Sequence, residues 1–283
     1  MIEPLRADDA FLADVERADR AADRLHLWWL GQSGFLVAWR GRHALLDPYL
    51  SDSLTRKYAG TDKPHERMTA RVIDPARLVF VEVVTASHGH TDHLDPDTLR
   101  ALTAARPELE LVVPEAHRDL AAERAGVARD RPLGLDDGGA TGAGGFSFTA
   151  VPAAHEDIER DAAGHMLHLG YVVRCGAFAI YHAGDTLPYE GMAERVHAAA
   201  GPAGIDVALL PINGRAPERR VPGNLDGAQA AELAHAVGAR LAVPMHFEMF
   251  AFNTAPPDTF VAACARLGQP QRVLRAGERL TVS

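Results

Sequence analysis

The stretch Ser87-His88-Gly89-His90-Thr91-Asp92-His93-Leu94-Asp95 places three imidazoles and two carboxylates in nine residues, directly after the apolar run Val81 to Ala86. Neutral imidazole and carboxylate are the ligands that divalent zinc, manganese and iron accept. A His-x-His step on extended or tightly turned backbone aims two rings, His88 and His90, at one ion, and the adjacent Asp92 and His93 can serve a neighbouring one. A solvated histidine-rich turn is the competing reading. It is disfavoured by the buried-strand pattern ahead of the cluster and by later candidates that follow strands in the same manner.

Those candidates are His155 after the run Phe146 to Pro152, Asp185 after Phe178 to Tyr181, and His246 after Leu241 to Pro244. Side chains at strand ends can converge on one rim of a sheet sandwich while the strands hold them rigidly, as a preorganised metal site requires.

The elements that must position them are legible as short periodic runs. Residues 8 to 23 carry apolar positions at helical period and predict an amphipathic helix, residues 1–24 forming a segment packed on the main domain, residues 25–283. Leu25 to Leu30, Phe35 to Trp39 and His43 to Leu46 read as successive antiparallel strands around Gly31-Gln32-Ser33-Gly34 and Arg40-Gly41-Arg42. A strand at 81–86, helix at 96–105, strand at 110–113 and helix at 115–124 follow. Strands are expected at 145–151, 166–174 and 177–182, with 138–145 as a flexible turn. A second alternating half has a helix at 190–199, strand at 205–210, helix at 227–237, strand at 240–245, helix at 257–266 and closing strand at 272–275. Two mixed β/α halves of similar rhythm predict an α/β (α+β) fold, two mixed sheets packed face to face with helices on the outer faces.

Bulk properties narrow the function. With 283 residues, 47% hydrophobic and 24% charged, the chain suits one large globular α/β domain. A net charge of -9 argues against general affinity for nucleic acid, and no basic tract stands out. Two cysteines in unrelated contexts, Cys175 and Cys264, provide neither a disulfide framework nor a thiolate metal site. No apolar export core and no membrane-length apolar run is present, so a cytoplasmic protein that binds no membrane is expected.

The ordered set His-x-His-x-Asp-His, then His, then Gly-Asp, then His resembles the metallo-β-lactamase superfamily over roughly residues 25–282. The resemblance implies an αββα sandwich in which one ion takes His88, His90 and His155, another takes Asp92, His93 and His246, and Asp185 bridges both. Trp28-Trp29-Leu30-Gly31-Gln32-Ser33-Gly34-Phe35, Leu46-Asp47-Pro48-Tyr49, His182-Ala183-Gly184-Asp185-Thr186, Pro211-Ile212-Asn213-Gly214-Arg215 and Pro244-Met245-His246-Phe247-Glu248-Met249-Phe250 resemble the L-ascorbate-6-phosphate lactonase group. That group makes manganese an option beside zinc, with iron also compatible with the ligand types.

Two ions roughly 3.5–4 Å apart can share a water and bring its pKa toward neutrality, giving a hydroxide for attack on carbon or phosphorus. Asp92 and Asp185 are the catalytic candidates, the first to orient the nucleophile or move a proton, the second to fix the metal separation. Asp47 and Asp95 are expected to receive the outward N–H groups of ligating imidazoles, against a turn role for Asp47 and a helix N-cap for Asp95. Arg215, Tyr49 and Asn224 are substrate-binding candidates, Arg215 as an anion clamp against an ordinary salt bridge. Gln32 and Glu248 are weaker ones. His182 is given a structural role or one behind a ligand, and His26, His43, His65, His117, His165, His168, His197 and His235 are read as ordinary core or surface residues. The loop Asn213 to Leu225 is the place for a lid or for contact with a second copy in a homo-oligomer.

The expectation is a metal-dependent hydrolase of a small, anionic cyclic ester (lactone) or phosphoester. Its rivals are a phosphodiesterase acting on nucleotides or phospholipid head groups, and a non-catalytic metal-binding scaffold.

Overall fold

The computed structural model describes residues 1–20 and 23–283. Helix α1 (Asp8–Asp19) turns Phe11, Val15 and Ala18 inward, with Asp14 on the same face. Asp14 is buried because it has partners: Oδ2 accepts from Trp28 Nε1 at 3.0 Å, and Arg17 and Arg279 lie at 3.1 and 3.5 Å. The helix expected over 8–23 ends at Asp19, and residues 21 and 22 of that expectation lie outside the described residues.

Three β-rich runs form an antiparallel meander, β1 (Leu25–Gly31), β2 (Gly34–Trp39) and β3 (Arg42–Leu46). The chain continues through a short helix α2 (Ser53–Lys57), β4 (Val83–Thr85), α3 (Pro96–Ala105), β5 (Glu110–Pro114), α4 (Arg118–Ala125) and β6 (Leu133–Leu135), with β3 to β6 parallel. A second meander follows: β7 (Ala140–Ala143), β8 (Phe146–Pro152), β9 (Leu169–Cys175) and β10 (Phe178–His182). Then come α5 (Met192–Ala200), β11 (Val207–Pro211), α6 (Gly227–Ala236), β12 (Leu241–Met245), α7 (Asp258–Leu267) and β13 (Arg279–Val282), with β10 to β12 parallel.

The first sheet runs β13-β1-β2-β3-β4-β5-β6 and the second β12-β11-β10-β9-β8-β7. The expected αββα sandwich is the observed fold. Strands β1 and β11 are buried at every position, because one face meets the other sheet and the other lies under helices. Trp29, on β1, stacks on Phe247, just past β12, with ring centroids 4.5 Å apart, one of the contacts that join the two halves of the chain.

Three expectations are corrected. The closing strand is at 279–282 and not 272–275. Gln271 makes only an isolated bridge to Ala242, and the chain then turns at Gly277 (φ 73°) to run against β1. The segment 138–145 is no simple loop, since Ala140–Ala143 pairs with β8 around a Gly144-Gly145 turn. The helix expected over 115–124 begins as a 3-10 turn, Glu115–His117, and becomes α-helical from Arg118 to Ala125.

Candidate metal centre

Each candidate ligand stands just past a strand end on one shared rim. His88, His90, Asp92 and His93 occupy the turns between β4 and α3, His155 follows β8, Asp185 follows β10 and His246 follows β12. The approach is close. Gly184, at φ 63°, could carry no side chain, because an added Cβ would lie 2.7 Å from both Leu169 O and Ser87 Cβ. This brings Asp185 against the His88 turn.

Three overlapping triads result: His88, His90 and His155; His88, His93 and Asp185; Asp92, His93 and His246. Within each, the ligand atoms lie within 4.8 Å of one another. Asp185 Oδ2 is 3.2 Å from His246 Nε2, 3.4 Å from His93 Nε2 and 3.7 Å from His155 Nε2, a position between the groups. Asp92 Oδ2 is 3.6 Å from Nε2 of both His93 and His246. His88 Nε2, His93 Nε2 and Asp185 Oδ1 are buried without a hydrogen-bond partner among the described residues. Buried polar atoms of this kind call for an ion or water, and the imidazole and carboxylate donors suit a divalent metal.

The tautomers are set from behind. Buried Asp47 receives Ser87 N at 3.0 Å on Oδ1, and His93 Nδ1 at 2.8 Å and the Ser87 hydroxyl on Oδ2. With its own proton given to Asp47, Ser87 Oγ accepts from His88 Nδ1 at 3.0 Å. His155 Nδ1 donates to Gly223 O at 3.0 Å. All three rings therefore present Nε2 to the ligand cluster. Asp47 sits at φ 42° and His246 at φ 60°, left-handed backbone that neither residue favours and that the surrounding structure enforces. Asp95, the other carboxylate expected behind a ligand, instead caps α3 by accepting from Asp97 N and Thr98 N, and takes the Ser53 hydroxyl at 2.7 Å.

Burial disfavours charge on every one of these groups, but partners decide the outcome. At His93 burial is outweighed by Asp185, Asp92 and Asp47, which hold its imidazolium well above the ordinary range. Asp185 and Asp92 push His246 upward likewise against burial, while the Gln32 amide competes for its Nε2 at 3.1 Å. His88 is held well below its ordinary value by burial and by the neighbouring His93 and His90. In the metal-free protein at neutral pH, His93 thus carries a proton that an ion must displace. Metal uptake at pH 7 is expected to release about one proton, from His93, and apparent affinity to rise about tenfold per pH unit until that imidazole is neutral. Calorimetric titration in buffers of different ionisation enthalpy reads the proton count directly, and a count of zero contradicts the assignment.

The ligand rim floors a cavity of about 340 Å³ whose walls include Lys57, Tyr58, His65, Arg124, Asn224 and Phe250. His65 stacks on Tyr58 with centroids 4.1 Å apart, and Lys57 Nζ lies 5.2 Å over the same ring. Arg124 donates to Gly89 O and Leu94 O at 2.8 and 2.9 Å, clasping the ligand turn. Asn224 lines the cavity with a buried Oδ1 that has no hydrogen-bond partner among the described residues.

Two expected substrate contacts lie elsewhere. Arg215 lines a neighbouring cleft and pairs with Glu156 at 2.6 Å, while Glu156 Oε1 takes Gly223 N. It therefore braces the peptide that holds His155. Tyr49 is buried beside Phe250, its hydroxyl accepting from Leu54 N at 3.1 Å. Glu248 accepts Thr69 Oγ1 through its main-chain oxygen at 2.5 Å.

Four histidine readings can be placed. His182 is structural, bonded to Ser33 O at 2.8 Å. His65 is a cavity wall. His168 faces the ligands, its ring 5.1 Å from His88 and 5.5 Å from His155, and burial together with His155 pushes its pKa down to about 3. His117 packs behind Gly89 and bonds Leu167 O at 3.0 Å. Sequence spacing held no signal for His168 or His65, because each reaches the site from a segment with no ligand pattern of its own.

Two mixed sheets with outer helices and a His/Asp constellation on one rim define the metallo-β-lactamase fold class. Solved structures agree on that fold. The metallo hydrolase Igni18 from the hyperthermophilic archaeon Ignicoccus hospitalis has a TM-score of 0.64 at 24% identity, covering 92% of this chain and 99% of that one. A possible metal-dependent hydrolase from Veillonella parvula has a TM-score of 0.72 at 14% identity, covering 92% and 100%. A sequence profile described as a beta-lactamase superfamily domain matches residues 42–247. A UPF0173 metal-dependent hydrolase of Opitutus terrae is 31% identical over 262 residues, 91% of this chain and 100% of the relative. The chain belongs to the beta-lactamase superfamily and, within it, to the UPF0173 family.

Proposed function

We propose that the protein is a metal-dependent hydrolase of a small anionic cyclic ester, a lactone, or a related phosphoester, with two divalent ions, zinc or manganese, at the rim. One observation carries this reading: seven imidazole and carboxylate side chains from four chain segments converge in overlapping triads at the floor of the cavity. The metal-dependent hydrolase name of the Opitutus terrae relative agrees with it. The likeness of the Trp28 to Phe35 and Pro244 to Phe250 motifs to lactonases supplies the substrate class.

His88, His90 and His155 would hold one ion, Asp92, His93 and His246 the other, with Asp185 between them. Bound there, the ions supply Lewis acidity and a nucleophile at neutral pH. The chain's own groups do the rest. Asp92 is partly exposed at the cavity floor and is the carboxylate able to accept and return a proton there. Lys57 supplies a cation at the wall for an anionic substituent, Tyr58 and Phe250 supply apolar faces, and Asn224 Oδ1 is an acceptor for a substrate hydroxyl. Both cysteines are free and buried, in keeping with a reducing, cytoplasmic setting. Among the described residues no helix is long and apolar enough to cross a membrane.

The test is a panel of lactones, phosphorylated sugar lactones included, beside bis(p-nitrophenyl) phosphate, with protein reconstituted with zinc or manganese. Lactone turnover that a chelator abolishes is expected. Phosphodiester turnover without any lactone turnover would overturn the substrate class.

A further inference from the structure

Gln32 lies in the turn between β1 and β2, buried to 1% exposure and in left-handed backbone at φ 51°. Its main chain is pinned: the carbonyl receives both Trp29 Nε1 and His246 N, each at 2.9 Å. Its side chain reaches the ligand cluster. Nε2 is 2.7 Å from Asp92 Oδ2 and 3.1 Å from His246 Nε2, two of the three ligand atoms of one triad.

An imidazole nitrogen has a single in-plane lone pair or N–H, so the nitrogen that engages an amide cannot at the same time bind an ion. A carboxylate oxygen has room for both. The conflict is therefore located at His246, whose other nitrogen, Nδ1, is buried without a partner among the described residues. Gln32 Oε1 is likewise buried and unpartnered, so the amide is held here by its N–H side alone and nothing retains it once those contacts are replaced.

We propose that the Gln32 carboxamide is a displaceable occupant of the Asp92/His93/His246 subsite, so that the two ions load in order, first at His88/His90/His155 and then, more weakly, where Gln32 must withdraw. This rests on the metal-centre reading above. Gln32 is thus a positioning residue that sets the gap between two metal affinities. At limiting metal the protein carries one ion.

Titration of chelator-stripped full-length protein with cobalt(II), followed by visible absorbance and by heat, tests this without any substrate. The wild type is expected to show two steps separated by at least about tenfold. Gln32→Met keeps the volume and the pinned main chain but has no N–H to give. It is expected to tighten the second step by roughly tenfold, the worth of one net hydrogen bond to an equilibrium constant, with the first step unmoved. The metal-free variant should also melt earlier, so that the rise in Tm on adding cobalt is larger than in the wild type. A second step unchanged or weaker in the folded variant overturns the proposal, as do two equal steps in the wild type. Gln32→Ala decides if the methionine variant fails to fold. Failure of wild type and variant alike to take up cobalt would instead remove the metal centre itself, and this inference with it.

Discussion

Asp185→Asn is expected to leave a folded protein that holds about one metal equivalent and has lost turnover by more than about 100-fold. The carboxylate stands between His246, His93 and His155, at 3.2, 3.4 and 3.7 Å. Against the cost of burial, His246 and His93 hold it ionised well below its ordinary range. An amide of the same shape removes the negative charge that a bridging position needs and offers a weaker oxygen. Partners one shell behind a ligand typically contribute 10–100-fold to affinity or activity, and loss of a ligand common to both ions should exceed that. Metal analysis after dialysis and an activity assay on the same sample check both halves, with circular dichroism as the control for folding. Two equivalents with full activity would remove Asp185 from the bridging role.

Asp47→Asn should weaken metal binding by 10–100-fold although residue 47 touches no ion in the assignment. The reason is a mismatch of donors. The new Oδ1 can still accept Ser87 N, but the new NH2 would face His93 Nδ1 and the Ser87 hydroxyl, both donors to Asp47 in the native protein. His93 escapes by giving up its Nδ1 proton and keeping the one on Nε2, the nitrogen it must bare for a metal. Ser87, turned around, then no longer fixes His88. Competition with a chromophoric chelator measures the loss, and an unchanged affinity would show that Asp47 serves only its turn.

The fold and the convergence of these imidazoles and carboxylates are legible because both are written in local pattern. A strand run followed within a few residues by His or Asp recurs at His88, His155, Asp185 and His246, and the strand rhythm marks two sheets. What stayed illegible depends on side-chain direction across long separations. Arg215 does follow a strand on the ligand rim, yet its guanidinium turns to Glu156, a choice that spacing cannot reveal. Gln32 reads as a turn residue and a weaker pocket candidate, and its amide meets His246 only because the two sheets bring residues 214 positions apart together. Lys57, Tyr58 and His65 come from a short helix and loop without periodicity. The final strand lies later than the apolar pattern predicts, because Leu274 is a core residue and Val273 packs against the core without strand pairing, whereas the ladder forms beyond Gly277.

The candidate ligands are spread from His88 to His246, and that order along the chain governs how the cluster assembles. The nonapeptide leaves the ribosome first, but the last imidazole follows only at the end of β12. At about 5–20 residues per second, synthesis separates the two by roughly 8–30 s. Throughout that interval the nascent chain offers only part of the candidate ligand set, so any metal uptake that needs the whole set would be a late event that reports completion of the second sheet.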